Sequence, residues 1–154
     1  MAAIPFWQRL LALLPYLLPW SDGLPFGRSL TNVFPALQWL SLPALPVALL
    51  QQGVPLGGFV LFLVLYLGVA RNQRVSGFIR FNTLQAILLD IVLVVLSLAF
   101  NLLLAPLGDN FAVRTLANTV FLGVLLVVLF AVVECLRGKE PDIPTLSEAV
   151  RMQL

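Results

Sequence analysis

The chain has 154 residues and a formal net charge of +2; 60% of its residues are hydrophobic and only 10% are charged. A soluble domain usually has about a quarter charged residues, so this composition, with a mean hydropathy of +1.01, excludes a water-soluble globular protein. Histidine is absent and cysteine occurs once, which argues against metal clusters, histidine-based catalysis and an intrachain disulfide. We expect an all-α, polytopic membrane protein that is not an enzyme, needs no cofactor or metal, and has no nucleic-acid partner.

The first thirty residues are rich in proline and contain one short apolar run. That run lies between Arg9 and Asp22 and includes Pro15 and Pro19. It is shorter than the roughly 20 apolar residues that a membrane-spanning helix needs, and proline bends a helix. We therefore predict that residues 1–30 form a proline-broken interfacial or re-entrant segment.

Long uncharged stretches predict the membrane spans. The stretch from Arg28 to Arg71 can hold two crossings, and the sequence QQGVP in its middle, residues 51–55, supplies a polar turn with two helix breakers. Two proline-free stretches then predict a long helical hairpin. The four predicted spans run from about Thr31 to Leu50, Val54 to Ala70, Thr83 to Leu104 and Thr115 to Val133, a four-span bundle within residues 31–136. Residues 137–154 form a polar C-terminal tail with room for one short helix.

The basic residues predict the orientation, because short cytoplasmic loops carry an excess of lysine and arginine. With four spans, both termini lie on the cytoplasmic or stromal side and only Arg114 lies outside. If the N-terminal segment crosses instead and Thr31 to Leu50 lies in the interface, Arg28 also moves outside and both termini stay inside. If all five segments cross, the N-terminus moves outside with Arg9. The excess of basic residues on the inside is then as large as when the N-terminal segment crosses in place of Thr31 to Leu50.

A polar stripe follows one face of the third predicted span. Thr83, Asp90, Ser97 and Asn101 are spaced i, i+7, i+14 and i+18, so that they share one side of a helix. Polar side chains in a membrane helix face protein or a water-filled cavity, because lipid offers no hydrogen-bond partner. For Ser97 and Asn101, hydrogen bonds that hold neighbouring helices together are the simpler explanation.

Of the four residues of the stripe, Asp90 most needs an explanation, because a carboxyl group is costly inside a membrane. No lysine or arginine lies within any predicted span, and no second aspartate does either. We therefore expect neither an ion pair nor a carboxyl pair at this position. The expected arrangement is a neutral acid that bonds to Gln38, Asn118, Thr119 or water.

A second polar group lies just before the third predicted span. Arg80, Asn82 and Gln85 alternate there with Phe78, Ile79 and Phe81. We expect these residues to lie in the cytoplasmic interface of the membrane before the helix enters the bilayer.

Three stretches of the sequence resemble one known family. LYLGVARNQRVSGFIRFNTLQAILLDI, LPYLLPWSDGLPFGRSL and ANTVFLGVLLVV are similar to the signature, the N-terminal stretch and the last span of the Tic-twenty family. This family provides the small four-span subunit of the protein translocon at the inner envelope membrane of chloroplasts. The resemblance extends from about Pro5 to Pro144. The matching motif residues are Arg80, Phe81, Asn82, Gln85 and Asp90, and the family assigns no catalytic or binding role to them.

The resemblance implies a part in protein import, with both termini in the stroma or cytoplasm. The N-terminus shows neither a signal peptide nor a transit peptide, so we expect a chain used at full length in a cyanobacterium or encoded in a plastid. The membrane would be the cyanobacterial plasma or thylakoid membrane, or the chloroplast inner envelope.

Two functions fit this interpretation, and a third is weaker. In the first, a translocon subunit lines a hydrated path with its polar stripe; its partners are the bilayer, other membrane subunits or further copies of itself, and translocating polypeptides. In the second, the protein is a non-conducting scaffold or assembly factor that uses the same stripe for helix packing. A small-solute carrier is less well supported, because the sequence shows no inverted repeats.

Overall fold

The structure is a computed structural model that describes residues 4–53, 56–108, 110–143 and 146–153. Within these ranges every regular element is a helix, which confirms the all-α prediction. The α-helices are α1 (Phe6–Leu13), α2 (Leu17–Gly23), α3 (Arg28–Val33), α4 (Leu45–Gly53), α5 (Gly57–Leu65), α6 (Gly77–Ala99), α7 (Phe111–Leu136) and α8 (Leu146–Gln153). Short 3₁₀ and π-helical turns join or extend several of them.

Two helices are individually long and apolar enough to cross a membrane. One is α6 with its continuation through a π-helical and a 3₁₀ turn, Gly77–Leu107, and the other is α7. The predicted hairpin in the second half of the chain is thus present. Its first helix begins before Thr83, because the Ser76 side chain accepts a hydrogen bond from the Ile79 backbone N–H at 3.4 Å and caps the first turn.

The early start of α6 corrects the prediction of an interfacial segment before the span. Phe78, Ile79 and Phe81 belong to α6 itself, and all three are buried. Phe78 and Ile79 pack in one apolar cluster with Tyr16 and with Cys135 near the end of α7. We call this end of the bundle, where α6 begins and α7 ends, the closed end.

Residues 6–33 form a nearly continuous helical segment, which we call the N-terminal rod. Two 3₁₀ turns, Leu14–Tyr16 and Leu24–Gly27, join α1, α2 and α3, and each has a proline near its start. Proline fits there because it lacks an N–H, and the first N–H groups of a helical turn have no partner within that turn. The prolines therefore bend the chain without reversing its direction.

The N-terminal rod lies antiparallel along α7. At the closed end, Arg9 donates a hydrogen bond from Nη1 to the Leu136 carbonyl at 3.0 Å. Halfway along, the rings of Trp20 and Phe121 lie 5.8 Å apart. At the far end, residues 29–33 of the rod share a cavity with residues 111–118 of α7. The predicted interfacial or re-entrant placement of residues 1–30 relative to the membrane stays a prediction.

The described part of residues 35–70 does not contain two helices that are each long enough to cross a membrane, as the sequence predicts from Thr31 to Leu50 and from Val54 to Ala70. Phe34 leaves the helical conformation (φ −119°, ψ 86°), as expected of a residue before proline. Pro35–Ala44 is a 3₁₀ helix that leads into α4. Pro35–Gly53 and Gly57–Ala70 are bent by 113° relative to each other and form either one broken span or a re-entrant loop. A continuous helix from Thr31 to Leu50 is therefore absent, and the span predicted there stays unconfirmed.

The bend between α4 and α5 brings two backbone segments very close together. A Cβ atom on Gly57 would lie 2.5 Å from the Gln51 carbonyl oxygen, so the chain has room only for glycine at this position. The predicted turn over residues 51–55 lies partly here, but Val54 and Pro55 are outside the described residues.

The predicted short helix in the C-terminal tail is α8, and it packs against the start of α6. Val150 is fully buried with Ala70, Phe81 and Leu84. The guanidinium of Arg151 lies 5.2 Å from the centre of the Phe81 ring, within the range of a cation–π contact. The tail is thus part of the closed end.

Candidate functional site

Polar side chains meet α6 at two levels. Residues 81–87 of α6 are buried on every side of the helix, and here its amides contact the N-terminal rod and the tail. We call the cluster of Tyr16, Asn82, Gln85, Cys135 and Ser147 the closed-end network. Farther along α6, Asp90 meets Asp22 and Gln51 in an open cavity, which we call the acidic groove.

Asn82 is the first centre of the closed-end network. Its Oδ1 accepts a hydrogen bond from the Tyr16 hydroxyl at 2.8 Å, and the Cys135 thiol lies 3.1 Å from the same oxygen. Its Nδ2 donates to the Phe78 carbonyl at 2.9 Å. Because the amide is fully buried and both its oxygen and nitrogen have partners, it holds the rod, α6 and α7 together.

Gln85 is the second centre and connects the tail to the same network. Its Nε2 donates to the Tyr16 hydroxyl and to the Pro141 carbonyl, both at 3.1 Å. The Ser147 hydroxyl donates to Gln85 Oε1 and accepts from the Ile143 backbone N–H at 2.7 Å. Ser147 therefore fixes the start of α8 against α6.

Two further motif residues, Arg80 and Phe81, are also engaged within the chain. Arg80 donates from Nε to the Ala70 carbonyl at 3.0 Å, which ties α6 to the end of the preceding helical segment. Phe81 lies under Arg151 of the tail. The structure thus gathers four of the five motif residues at the closed end, where they pack the chain together, and places the fifth, Asp90, in the acidic groove.

The acidic groove is built from three separate elements. Asp22 comes from α2, Gln51 from α4 and Asp90 from α6. The Asp22 and Asp90 side chains line the same cavity. Gln51 donates from Nε2 to Asp22 Oδ1 and accepts from the Ser21 hydroxyl, both at 3.4 Å. Two carboxyl groups that share an apolar site disfavour ionisation of both at once, so the groove is suited to carrying a single negative charge.

Asp90 lies in a cavity of about 490 Å³, and apart from Asp22, Gln51 and Asp90 itself the lining of this cavity is apolar. The residue is 7% exposed, and its Oδ1 has no hydrogen-bond partner among the described residues. An unpaired oxygen of this kind is costly and needs an explanation.

These contacts correct two predictions about Asp90. Its polar neighbours are Asp22 and Gln51, instead of Gln38, Asn118 or Thr119. A second carboxyl does reach it, because the N-terminal rod carries Asp22 into the bundle. The sequence WSDG, within a proline-spaced apolar run, was the signal that Asp22 lies inside the bundle. The signal is weak because the charge of Asp22 shortens the uncharged stretch to less than the length of a membrane span.

The four residues of the polar stripe do not share one environment. Thr83 is fully buried and its hydroxyl has no partner within the described chain. Asp90 opens into the acidic groove. Ser97 is half-buried and Asn101 is exposed, and the latter lies in the π-helical turn Phe100–Leu104, whose wider turn changes the register of the helix. The stripe therefore passes from the core to the surface along α6.

Comparison with known proteins identifies the family. The family model described as "Chloroplast import apparatus Tic20-like" matches residues 2–150. A "Tic20 family protein" of Synechocystis sp. is 37% identical over 96% of this chain and 92% of its own length. "Protein TIC 20-II, chloroplastic" of Arabidopsis thaliana is 35% identical over 97% of this chain and 74% of its own length. "Tic20 family protein Ycf60" of Porphyra purpurea is 31% identical, with shares of 95% and 75%. The resemblance inferred from the motifs is confirmed: the chain belongs to the Tic20 (Tic-twenty) family.

Proposed function

We propose that this protein is a membrane subunit of a protein translocon, and that the acidic groove and the C-terminal half of α6 form one wall of a hydrated path. The observation that carries the proposal is Asp90. It is a buried carboxyl with an unpartnered oxygen at the floor of an open cavity. In a bilayer, ionisable groups are retained mainly where they serve a pathway or meet a partner.

The polar face continues beyond the groove in a way that supports the same function. Ser97 and Asn101 follow Asp90 toward the far end of α6, and among the described residues neither side chain has a hydrogen-bond partner. Lipid cannot satisfy them. The cavity at Asp90 is a groove on the side of the bundle, so a closed path requires other subunits or further copies of the chain.

The proposed topology has four crossings, with both termini on the cytoplasmic or stromal side. The crossings are the N-terminal rod, the broken pair from residue 35 to 70, α6 and α7. The contact between Arg9 and Leu136 supports it, because it places the start of the rod beside the end of α7. This arrangement moves Arg28 outside with Arg114 and keeps all other basic residues inside, in agreement with the charge bias. The membrane is that of a cyanobacterium or the chloroplast inner envelope.

A non-conducting scaffold is the second candidate, and the closed-end network favours it. Asn82, Gln85 and Arg80 each hydrogen-bond to other parts of the chain, as expected of a rigid docking platform. A scaffold would form a stable stoichiometric complex and show no conductance.

Site-specific photo-crosslinking in native membranes separates the two functions. The crosslinking amino acid is placed at Ser97 in one variant and at Val94, which lines the acidic groove, in another. Leu126, an exposed residue of α7, serves as the control. Capture of varied precursor chains at 94 and 97, but not at 126, supports the path. Capture of one fixed membrane subunit at both positions contradicts the path and supports the scaffold.

A further inference from the structure

Within the described chain, the acidic groove holds two carboxyl groups and no basic side chain. Asp22 and Asp90 both line it, and with one of them ionised the groove carries one negative charge. No lysine or arginine lines the groove among the described residues. Gln51 donates only one long hydrogen bond to this pair. The groove therefore lacks a positively charged partner from its own chain.

The walls of the groove suit a cationic group with an apolar stem. Phe59 and Phe62 line the cavity with their rings 6.3 Å apart, and aromatic rings attract cations that lie over their faces. The opposite wall is formed by Ile91, Val94 and Val95, which are exposed at the surface of the bundle. The groove thus opens sideways, toward the position of another membrane-embedded segment.

We propose that the acidic groove binds the ammonium or guanidinium group of a lysine or arginine that another polypeptide presents at the depth of Asp90. The proposal rests on the proposed function and names the ligand of the same site. A cation and an anion that are each costly in a bilayer become tolerable when they meet. The stem of such a side chain would lie against the phenyl rings while its charged end reaches the unpartnered Oδ1 of Asp90.

The proposal is tested by peptide binding to the full-length protein in phosphatidylcholine nanodiscs, which contain no primary amine. The probe is a fluorescent leucine-alanine transmembrane peptide with one central lysine, and its matched control has norleucine at that position. We expect the lysine peptide to bind about tenfold more tightly, a difference of the size expected for one partly desolvated charge contact. Asp90→Asn should abolish the difference, whereas Asp142→Asn, in the exposed part of the tail, should preserve it.

A second measurement on the unsubstituted protein guards against a variant that fails to fold. A hydrophobic carbodiimide modifies protonated carboxyl groups in apolar surroundings, and the lysine peptide should protect the Asp22–Asp90 pair from it several-fold better than the norleucine peptide does. Equal binding and equal protection by the two peptides would overturn the proposal. So would a groove that is covered by a second copy of this chain, detected as loss of peptide binding on dimerisation. Equal binding and equal protection leave the photo-crosslinking at residues 94 and 97 unaffected, so the two proposals can fail separately; a covering second copy would instead be captured at residue 94.

Discussion

The two halves of α6 place their polar side chains in different surroundings. In the N-terminal half, Asn82, Thr83 and Gln85 are fully buried. The two amides are satisfied by the rod, α7 and the tail, and the Thr83 hydroxyl is enclosed without a partner among the described residues. In the C-terminal half, Asp90 has an unpartnered oxygen and Asn101 is exposed. The difference teaches that a polar residue in a membrane helix is not by itself a functional signal. Its neighbours decide whether it stabilises the fold or remains available to a ligand.

The neighbours differ because the other elements crowd around one end of the helix. The start of α6 is surrounded by α1, α2, α8 and the helical turn Tyr66–Ala70. The start of α5, at Gly57, lies at the level of Asp90. α5 therefore does not cover the part of α6 that follows Asp90, and Val94 and Val95 are exposed there. The first half is therefore sealed by its own chain, and the second half is open to partners.

Gln85→Leu should produce the largest loss of stability. It removes three buried hydrogen bonds, to the Tyr16 hydroxyl, the Pro141 carbonyl and the Ser147 hydroxyl, and each such bond contributes about 0.5–1.5 kcal/mol. We expect the free energy of unfolding in detergent to fall by about 2–4 kcal/mol, and limited proteolysis to cut the tail faster. Gln52→Leu, at an exposed position of α4, is the control. Equal stability of the two variants would contradict the role given to the closed-end network.

Gly27→Ala should have an intermediate effect and tests the packing of the rod on α7. A Cβ atom on Gly27 would lie 2.6 Å from the Phe121 ring, and such overpacking typically costs about 1–3 kcal/mol. Gly123→Ala in α7 is the matched control, because no atom lies within 4 Å of the Cβ that it adds. Thermal unfolding in detergent should show a lower midpoint for the first variant only. A tolerated Gly27→Ala would show that the rod does not press against α7.

Asp90→Leu should have the smallest effect on stability and the opposite sign. The substitution removes a buried oxygen that has no hydrogen-bond partner among the described residues. Functional residues of this kind often lower the stability of a protein, so their removal can raise it. We expect the free energy of unfolding to stay equal or to rise by up to about 1 kcal/mol, so that the midpoint of thermal unfolding does not fall. The preference for the lysine peptide should disappear. A loss as large as that of Gln85→Leu would make Asp90 a packing residue and remove the contrast between the two halves of α6.

Local patterns predicted the second half of the chain and the membership of its family. Uncharged stretches without proline gave α6 and α7, and the polar tail after Pro144 contains α8. The spacing of Asn82 and Gln85 also placed them together at one end of α6.

The N-terminal rod and the acidic groove could not be predicted in this way. The prolines predicted a kinked segment, and in the structure Pro15 and Pro25 lie in 3₁₀ turns that let the rod continue. The pairing of Asp22 with Asp90 joins residues far apart in sequence, and no local period encodes such a contact. Tyr16, Cys135 and Ser147 were missed for the same reason, because each contributes to the network only through tertiary packing.

Disulfide formation between Gly23→Cys and Val124→Cys tests the central claim most directly, since the rod must lie in the bundle for Asp22 to reach Asp90. A Cβ atom on Gly23 would lie 3.5 Å from the Cβ of Val124, within the separation that a disulfide requires. In a Cys135→Ala background, the account predicts rapid oxidation of this pair in native membranes. A Gly68→Cys and Val124→Cys pair, in which Gly68 has no neighbour within 4 Å of an added Cβ, should stay reduced. If the 23–124 pair also stays reduced, the rod does not lie along α7, and the acidic groove does not exist as described.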